Sequence, residues 1–154
     1  MDEAFFQTFW ISIKLASFTT IFLFCIGLPI AYFLTYSSFR LKVILQALIS
    51  MPLVLPPSVL GFYLLLAFSP NYWFGSFLNH YFDIRLAFSF TGILIGSIIF
   101  NMPLMINSIQ NGLCNLPVSL KDASYTLGKS RLTTLFKVLL PNIKPAVLTG
   151  ICLT

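Results

Sequence analysis

Charged side chains are scarce in this 154-residue chain, which has nine Lys and Arg, four Asp and Glu, and one His. Asp, Glu, Lys and Arg make up 8% of the residues, against about 25% in an average soluble domain. So few charges do not cover the surface of a soluble protein of this size. Apolar residues make up 58%, a value that also excludes intrinsic disorder. The composition indicates an integral membrane protein.

Cysteine and histidine are too few and too scattered to predict a metal site or a disulfide framework. Cys25, Cys114 and Cys152 are odd in number and have no CxxC spacing. The lone His80 stands in an aromatic stretch, where a surface role is expected. Without a cluster of ionisable residues there is no candidate catalytic residue and no candidate cofactor site. The net charge of +5 is confined to a few short places, so nucleic acid is not an expected partner.

Three long intervals contain no charge at all: residues 15–39, 43–82 and 86–120. A helix that crosses the hydrocarbon core needs about 20 apolar residues. We therefore predict one membrane span in each interval, at about 9–36, 43–68 and 88–110.

A more polar segment follows at 111–145, and an apolar stretch begins at residue 146 and reaches the last residue, 154. Nine helical residues cover only about 13 Å of a core of about 30 Å. The predicted fold is an all-α, polytopic transmembrane helix bundle with three full spans and the start of a fourth. Residues 1–154 are accordingly expected to be the N-terminal part of a single transmembrane domain, either as a fragment or as a truncated gene.

Basic residues are distributed unequally between the two sides of the predicted bundle. Segments 37–42 and 111–145 carry two and five Lys or Arg, whereas the opposite side carries only Lys14 and Arg85. Lys and Arg concentrate in cytoplasmic loops. The asymmetry places 37–42 and 111–145 in the cytoplasm and the N-terminus outside.

Prolines interrupt the second and third predicted spans. A proline removes a backbone donor and crowds the carbonyl four residues earlier, and such freed carbonyls must face protein or a wet cavity. Broken membrane helices often mark transport pathways, although a packing kink or a satisfied hydrogen bond between helices would explain the same residues. The predicted pathway residues are Pro52, Pro56, Pro57, Ser58, Asn101 and Pro103.

The polar segment contains a loose match to a phosphate-binding loop at 123–130. A phosphate-binding loop needs a preceding strand, whereas these residues follow a helical period: Leu120, Ala123, Ser124 and Leu127 share one face. Ser119, three residues before Asp122, is expected to form a weak capping box at the start of this helix. Gly128 is expected to end the helix, and Ser130 is expected to cap a second one. The second helix has Leu132, Leu135, Phe136 and Leu139 on one face and ends near Pro141. This helix–Gly–helix arrangement is either a connector on the membrane surface or a docking element for a cytoplasmic partner.

One spacing in this segment resembles a known family. Asp122-Ala123-Ser124, three residues, Gly128, nine residues and Val138-Leu139-Leu140-Pro141 resemble the EAA loop of ABC-importer permeases. That pattern reads Glu-Ala-Ala, three residues, Gly, nine residues and Ile-x-Leu-Pro. The departures are Asp122, Ser124 and Val138. The resemblance implies that the loop docks on an ATPase, through Asp122, Ala123, Ser124, Gly128, Val138, Leu140 and Pro141.

Further motifs resemble the molybdate permease subgroup. They are the proline-rich stretch 51–57 with Gly61, and the segments 88–92 and 102–105; residues 12–16 and 27–31 resemble the first helix of the wider family. Sulfate and tungstate permeases are close neighbours. A different class, a membrane assembly protein without a transport role, would have no reason to keep the EAA spacing.

The resemblance implies a bacterial inner-membrane protein that moves an oxyanion from periplasm to cytoplasm by alternating access. The subgroup motifs indicate that this oxyanion is molybdate. It implies a homodimer with two cytoplasmic ABC ATPase subunits, which bind ATP and Mg²⁺. A periplasmic binding protein would deliver the oxyanion. The chain itself would be no enzyme, because the ATPase activity belongs to the partner.

Overall fold

The computed structural model describes residues 2–37, 40–69, 72, 76, 80 and 88–154. Helices dominate this part of the chain, and it contains no strand, which confirms the predicted all-α class. Most of the aromatic segment between the second and third predicted spans lies outside the described residues.

Two helices are long and apolar enough to cross a membrane by themselves. Helix α1 covers Asp2–Tyr36 with 35 residues, or about 52 Å at 1.5 Å per residue. A later helix, numbered α4 below, covers Phe90–Cys114 with 25 residues, or about 37 Å. The span predicted at 9–36 is helical, with α1 beginning seven residues earlier and ending at the predicted residue. The span predicted at 88–110 corresponds to α4, which begins two residues later than predicted and ends four residues later.

The span predicted at 43–68 is not one straight helix. Helix α2 covers Lys42–Val54 and helix α3 covers Pro57–Phe68, and the two are bent by 104° at the break between them. Pro56 and Pro57 cause the break, because neither has a backbone N–H and the residue before a proline avoids helical geometry. With 13 and 12 residues, the helices are about 20 and 18 Å long. Neither crosses a core of about 30 Å alone.

The remaining helices follow α4 closely. Helix α5 covers Val118–Thr126, α6 covers Arg131–Asn142 and α7 covers Lys144–Leu153. Helices α6 and α7 are bent by 79° at Ile143, so the second helix of the polar segment ends near Pro141, as predicted. With α2–α3 and α6–α7 each counted as one broken span, the described chain has up to four candidate spans.

A π-helical turn, Leu135–Leu139, interrupts α6 directly before Leu140 and Pro141. Pro141 cannot donate to the carbonyl of Lys137 four residues earlier, and its ring crowds that carbonyl. We attribute the widened turn to this proline, because inserted turns of this kind accommodate a broken helical ladder.

The chain divides into two compact units, Met1–Leu23 with Ala47–Pro103 and Phe24–Gln46 with Leu104–Thr154. In the second unit, α1 approaches α4 closely at Gly27, where an added Cβ would lie 3.2 Å from Met105 Cγ. Its buried apolar core is formed by side chains of α1, α4 and α6 and by the α6–α7 junction: Leu28, Ala31, Leu34, Met105, Ile106, Ile109, Leu113, Leu135, Leu139 and Ile143.

The first unit is held by contacts of α1 and α3 with the N-terminal half of α4. Ser89 begins α4, and its Oγ accepts a hydrogen bond from Gly92 N at 3.1 Å. Lys14 Nζ lies 5.9 Å from the centroid of the Phe90 ring. At Gly96 an added Cβ would lie 3.5 Å from Leu64 Cδ1, an ordinary contact distance.

Large apolar side chains are exposed along much of α1 and α2, among them Trp10 at 70%, Ile21 at 64% and Leu48 at 64%. In water each such side chain forgoes about 1.5–3 kcal/mol of burial. A lipid surrounding removes that penalty without further protein contacts. The exposed apolar surface therefore agrees with the membrane class that the composition predicts.

Candidate functional site

The segment formed by α5, the turn at Gly128 and α6 is called the helix–Gly–helix segment here. Gly128 has a φ of +72°, the left-handed conformation that the sequence analysis predicts. Gly128 N donates to Tyr125 O at 2.9 Å, and Lys129 N donates to Ser124 O at 3.2 Å. These two bonds form a Schellman motif, which satisfies the last carbonyls of α5 and sharply ends the helix.

Ser130 begins α6 as predicted. Its side-chain Oγ accepts a hydrogen bond from Thr133 N at 3.3 Å and lies 2.9 Å from Thr133 Oγ1. This cap satisfies one of the free N–H groups of the first turn. By contrast, the start of α5 is capped by Pro117 with no side-chain bond, so Ser119 does not form the capping box that its spacing to Asp122 suggests.

A buried hydrogen bond ties the two helices of the segment together. Ser124 Oγ and Thr134 Oγ1 are 2.8 Å apart, and the two residues are 5% and 0% exposed. Buried hydroxyls need such partners. The sequence analysis identifies Ser124 but not Thr134, because the pairing depends on how α5 and α6 pack and no local pattern reports it.

The predicted apolar faces of this segment are only partly buried. Leu135 and Leu139 are inside, whereas four other apolar side chains face outward: Val118, Leu127, Leu132 and Phe136, with 55–76% exposure. Leu127 lies beyond the last residue of α5, in the turn, and so does not continue the face of that helix. Asp122 and Ala123 are also exposed. An exposed group of apolar side chains is typical of an interaction surface.

The end of the segment combines the π turn with a side-chain bond. Asn142 Nδ2 donates to Val138 O at 2.7 Å, so this carbonyl has a partner despite the proline nearby. Val138 and Leu140 are half-buried, and Pro141 is exposed. Leu140 and Pro141 line an apolar cavity of about 310 Å³ together with Phe24, Lys144, Val147 and Leu148.

The predicted pathway residues all belong to the first unit. Pro52 is a half-buried member of α2, while Pro56, Pro57 and Ser58 are exposed at the α2–α3 break. Asn101 is half-buried in α4, and Pro103 is buried there. A broken backbone at membrane depth must face protein or water, so the exposed break requires a polar or protein neighbour.

A separate cavity in the first unit is not formed by those residues. It has a volume of about 270 Å³, and its lining is almost entirely apolar: Gly61, Leu64, Leu65, Phe68, Phe88, Gly92, Ile93 and Gly96. The described side chains that line it therefore offer no hydrogen-bond donor for an oxyanion. Within the described residues, no group of three or more His, Cys, Asp or Glu could hold a metal ion, and the three cysteines are exposed thiols.

Comparisons with known proteins place this sequence in a family. The sequence pattern of the binding-protein-dependent transport system inner membrane component matches residues 6–154. The chain is 33% identical over 140 residues to the molybdenum transport system permease protein ModB of Azotobacter vinelandii, covering 91% of this chain and 62% of that protein. It is 32% identical over 144 residues to ModB of Escherichia coli K12, covering 94% and 63%.

A sulfate permease is about as similar. The sulfate transport system permease protein CysT of Salmonella typhimurium is 34% identical over 128 residues, which covers 83% of this chain and 46% of that protein. The chain thus spans less than two thirds of the length of each of these three relatives. The family pattern nevertheless covers both units and the helix–Gly–helix segment, and the chain therefore belongs to the family of binding-protein-dependent transport system inner membrane components.

Proposed function

We propose that this chain forms the membrane-spanning permease part of an ATP-driven importer that carries an oxyanion, molybdate, into the cytoplasm. The observation that carries the proposal is the helix–Gly–helix segment. It combines the EAA spacing with a left-handed Gly128 and a Schellman-terminated α5. The chain would perform no covalent chemistry.

The segment would act as the coupling element between a cytoplasmic ABC ATPase and the membrane helices. Its outward-facing Val118, Leu127, Leu132 and Phe136 offer apolar contact area, and exposed Asp122 offers a charge. The buried Ser124–Thr134 bond would make α5 and α6 move as one body. ATP and Mg²⁺ would bind to the ATPase, which would be the enzyme of the assembly.

The membrane arrangement follows from the charges and the breaks. With the Lys- and Arg-rich segments inside, the N-terminus would be outside, and 111–145 would face the cytoplasmic ATPase. The α2–α3 pair would be a broken span whose free carbonyls face the pathway rather than lipid. A second copy of the chain would complete that pathway, and a periplasmic binding protein would deliver the oxyanion to it. Alternating access would result from tilting of the helices as the ATPase closes.

We propose molybdate before sulfate as the substrate for two reasons. The proline-rich 51–57 segment resembles the molybdate subgroup, and two of the relatives have molybdenum in their names. Sulfate is the second candidate, supported by the CysT relative at 34% identity. Both are tetrahedral dianions, so helix geometry alone does not separate them. Tungstate shares the same chemistry.

The substrate is tested by deleting the native gene in its own host. We expect loss of molybdenum-enzyme activity at trace molybdate, with recovery at high molybdate and no change in growth on sulfate as the sulfur source. Reintroducing the native gene should restore the activity at trace molybdate.

The opposite pattern, poor growth on limiting sulfate with normal molybdenum-enzyme activity, would assign sulfate instead. In a host with no other molybdate importer, normal activity at trace molybdate would exclude molybdate. A competition assay with labelled molybdate and excess tungstate or sulfate would then rank the three anions.

A further inference from the structure

A cavity of about 270 Å³ lies in the second unit, where the last turns of α1 meet α5 and the start of α6. One water needs only roughly 10–15 Å³ of such space, so a group of several atoms fits. The lining is aromatic, hydroxylic and basic: Tyr32, Tyr36, Ser37, Lys121, Tyr125 and Arg131, with Phe33. None of the residues assigned to ATPase docking or to the predicted pathway lines this cavity.

Two cations, Lys121 and Arg131, line the cavity. Neither Lys121 nor Arg131 forms an ion pair with any acid in the described part of the chain. Lys121 Nζ instead lies 4.5 Å from the Tyr36 ring centroid and 6.0 Å from that of Tyr125. Cation–π contacts hold an ammonium in place without neutralising its charge. The cavity therefore has a fixed positive charge.

The C-terminal end of α1, which is partly negative, offsets only part of that positive charge. This helix has no basic residue in its last turn, and the partial negative charge of its free carbonyls lies at the end that borders the cavity. A helix end corresponds to about half an elementary charge. Two cations thus leave roughly one and a half positive charges uncompensated.

The tyrosines add donors for an anion. Tyr32 Oη and Tyr125 Oη are 3.1 Å apart, and a hydrogen bond between two hydroxyls uses only one of their two protons. The second proton remains free to donate. The guanidinium of Arg131, the ammonium of Lys121 and a tyrosine hydroxyl line the same space. These groups can donate hydrogen bonds to the oxygens of a tetrahedral oxyanion.

We propose that this cavity binds a tetrahedral oxyanion of the phosphate class at the membrane boundary where α1 ends. Two sources share that chemistry: the phosphate of an anionic phospholipid headgroup, and a soluble anion such as phosphate, sulfate or molybdate. Basic pockets between membrane helices near a cytoplasmic surface bind such headgroups, and tyrosines are frequent at that depth. The site goes beyond the proposed function, because no step of transport requires it.

The test measures binding by protein purified in neutral detergent. In one arm, native mass spectrometry counts molecules of phosphatidylglycerol retained, with phosphatidylcholine for comparison. In the other arm, equilibrium dialysis measures binding of labelled phosphate, sulfate and molybdate at fixed ionic strength. The variant Lys121→Gln/Arg131→Gln should weaken binding of the true ligand by about tenfold or more per removed cation.

The matched control is Lys129→Gln/Lys137→Gln, which removes two exposed charges from the same segment without touching the cavity lining. The exchange Lys121→Arg/Arg131→Lys keeps both charges and should retain most binding, which separates charge loss from misfolding. Tyr32→Phe should reduce binding less than the double Gln variant.

Loss of only phosphatidylglycerol binding in the double Gln variant assigns the cavity to a headgroup, and loss of only soluble-anion binding assigns it to a free oxyanion. The proposal is wrong if neither arm distinguishes the double Gln variant from the control variant. Because no uptake is measured, a failed transport assay would leave this outcome unaffected.

Discussion

Gly128 is the residue that most directly sets the geometry of the helix–Gly–helix segment. Its φ is +72°, and residues other than glycine adopt such a backbone conformation at a penalty of about 1–2 kcal/mol. No atom lies within 4 Å of an added Cβ. A substitution there strains the backbone without creating a clash inside the chain, so its effect reports the turn itself.

We predict that the amount of ATPase that co-purifies with the protein is highest for the parent with Gly128. It should then decrease in the order Gly128→Asn, Gly128→Ala and Gly128→Val. Asparagine tolerates the left-handed region, and a β-branched residue is least compatible with it. Gly61→Ala is the control, because Gly61 also has open space around an added Cβ but is helical. An equal ATPase yield across the series would show that the turn does not control docking.

The Ser124–Thr134 pair permits a second prediction at the residue scale. Ser124→Ala or Thr134→Val alone leaves one buried hydroxyl without its partner. Each should lower the free energy of unfolding by about 1–3 kcal/mol. The double variant leaves neither hydroxyl unpaired, so its loss should be smaller than the sum of the two. The stabilities of the parent, the two single variants and the double variant are compared by thermal unfolding of the protein purified in detergent. Strictly additive losses would mean that the bond does not couple α5 to α6.

At the scale of elements, the sequence predicts what depends on local chemistry. The uncharged intervals locate α1 and α4, and the glycine and serine at positions 128 and 130 locate the turn between α5 and α6. The sequence also identifies Pro56 and Pro57 as a disruption, but it does not reveal a bend of 104°. The bend angle depends on what packs on either side of the break.

Other features were missed for different reasons. The π turn at Leu135–Leu139 has no periodic signature of its own and arises from the proline that follows. Ser119 is not the cap of α5, because Pro117, with its extended backbone, is the N-cap of that helix and lies two residues before Ser119. Thr134 enters the site only through tertiary packing. Local signals thus predict the elements and the turn residues, and tertiary contacts decide the remainder.

The break between α2 and α3 leads to a prediction for that element. Pro56→Ala/Pro57→Ala restores two backbone donors and should let the two helices straighten into one. Spin labels at the exposed positions Leu48 and Leu65 would lie roughly 26 Å apart along a straight helix. We expect a shorter distance in the parent and a shift toward this value in the double variant.

Pro52→Ala is the control for that experiment, because Pro52 already lies inside a continuous α2. It should leave the distance between the labels unchanged. If the double variant keeps the parental distance, packing rather than the prolines holds the bend, and our account of the break is wrong.

At the scale of the whole molecule, exposed apolar surface and the Lys and Arg distribution together predict an orientation in the membrane. In a background without the native cysteines, Ser76→Cys should react in intact cells with a thiol reagent that cannot cross the membrane. Ser130→Cys should react only after permeabilisation. Both positions are exposed, so burial does not explain protection. Labelling of Ser130→Cys in intact cells would reverse the proposed topology.

Under the proposed function, the chain moves an oxyanion through the membrane under the control of the helix–Gly–helix segment. The most direct test is the initial rate of labelled molybdate uptake by cells in which the native gene carries Gly128→Val, compared with Gly128→Asn. We predict that the Val variant reaches the membrane at the parental level, since the apolar helices that drive insertion are unchanged, but transports at least about tenfold more slowly, with Asn nearer the parent. Parental uptake by the Val variant at an equal membrane level would contradict the account.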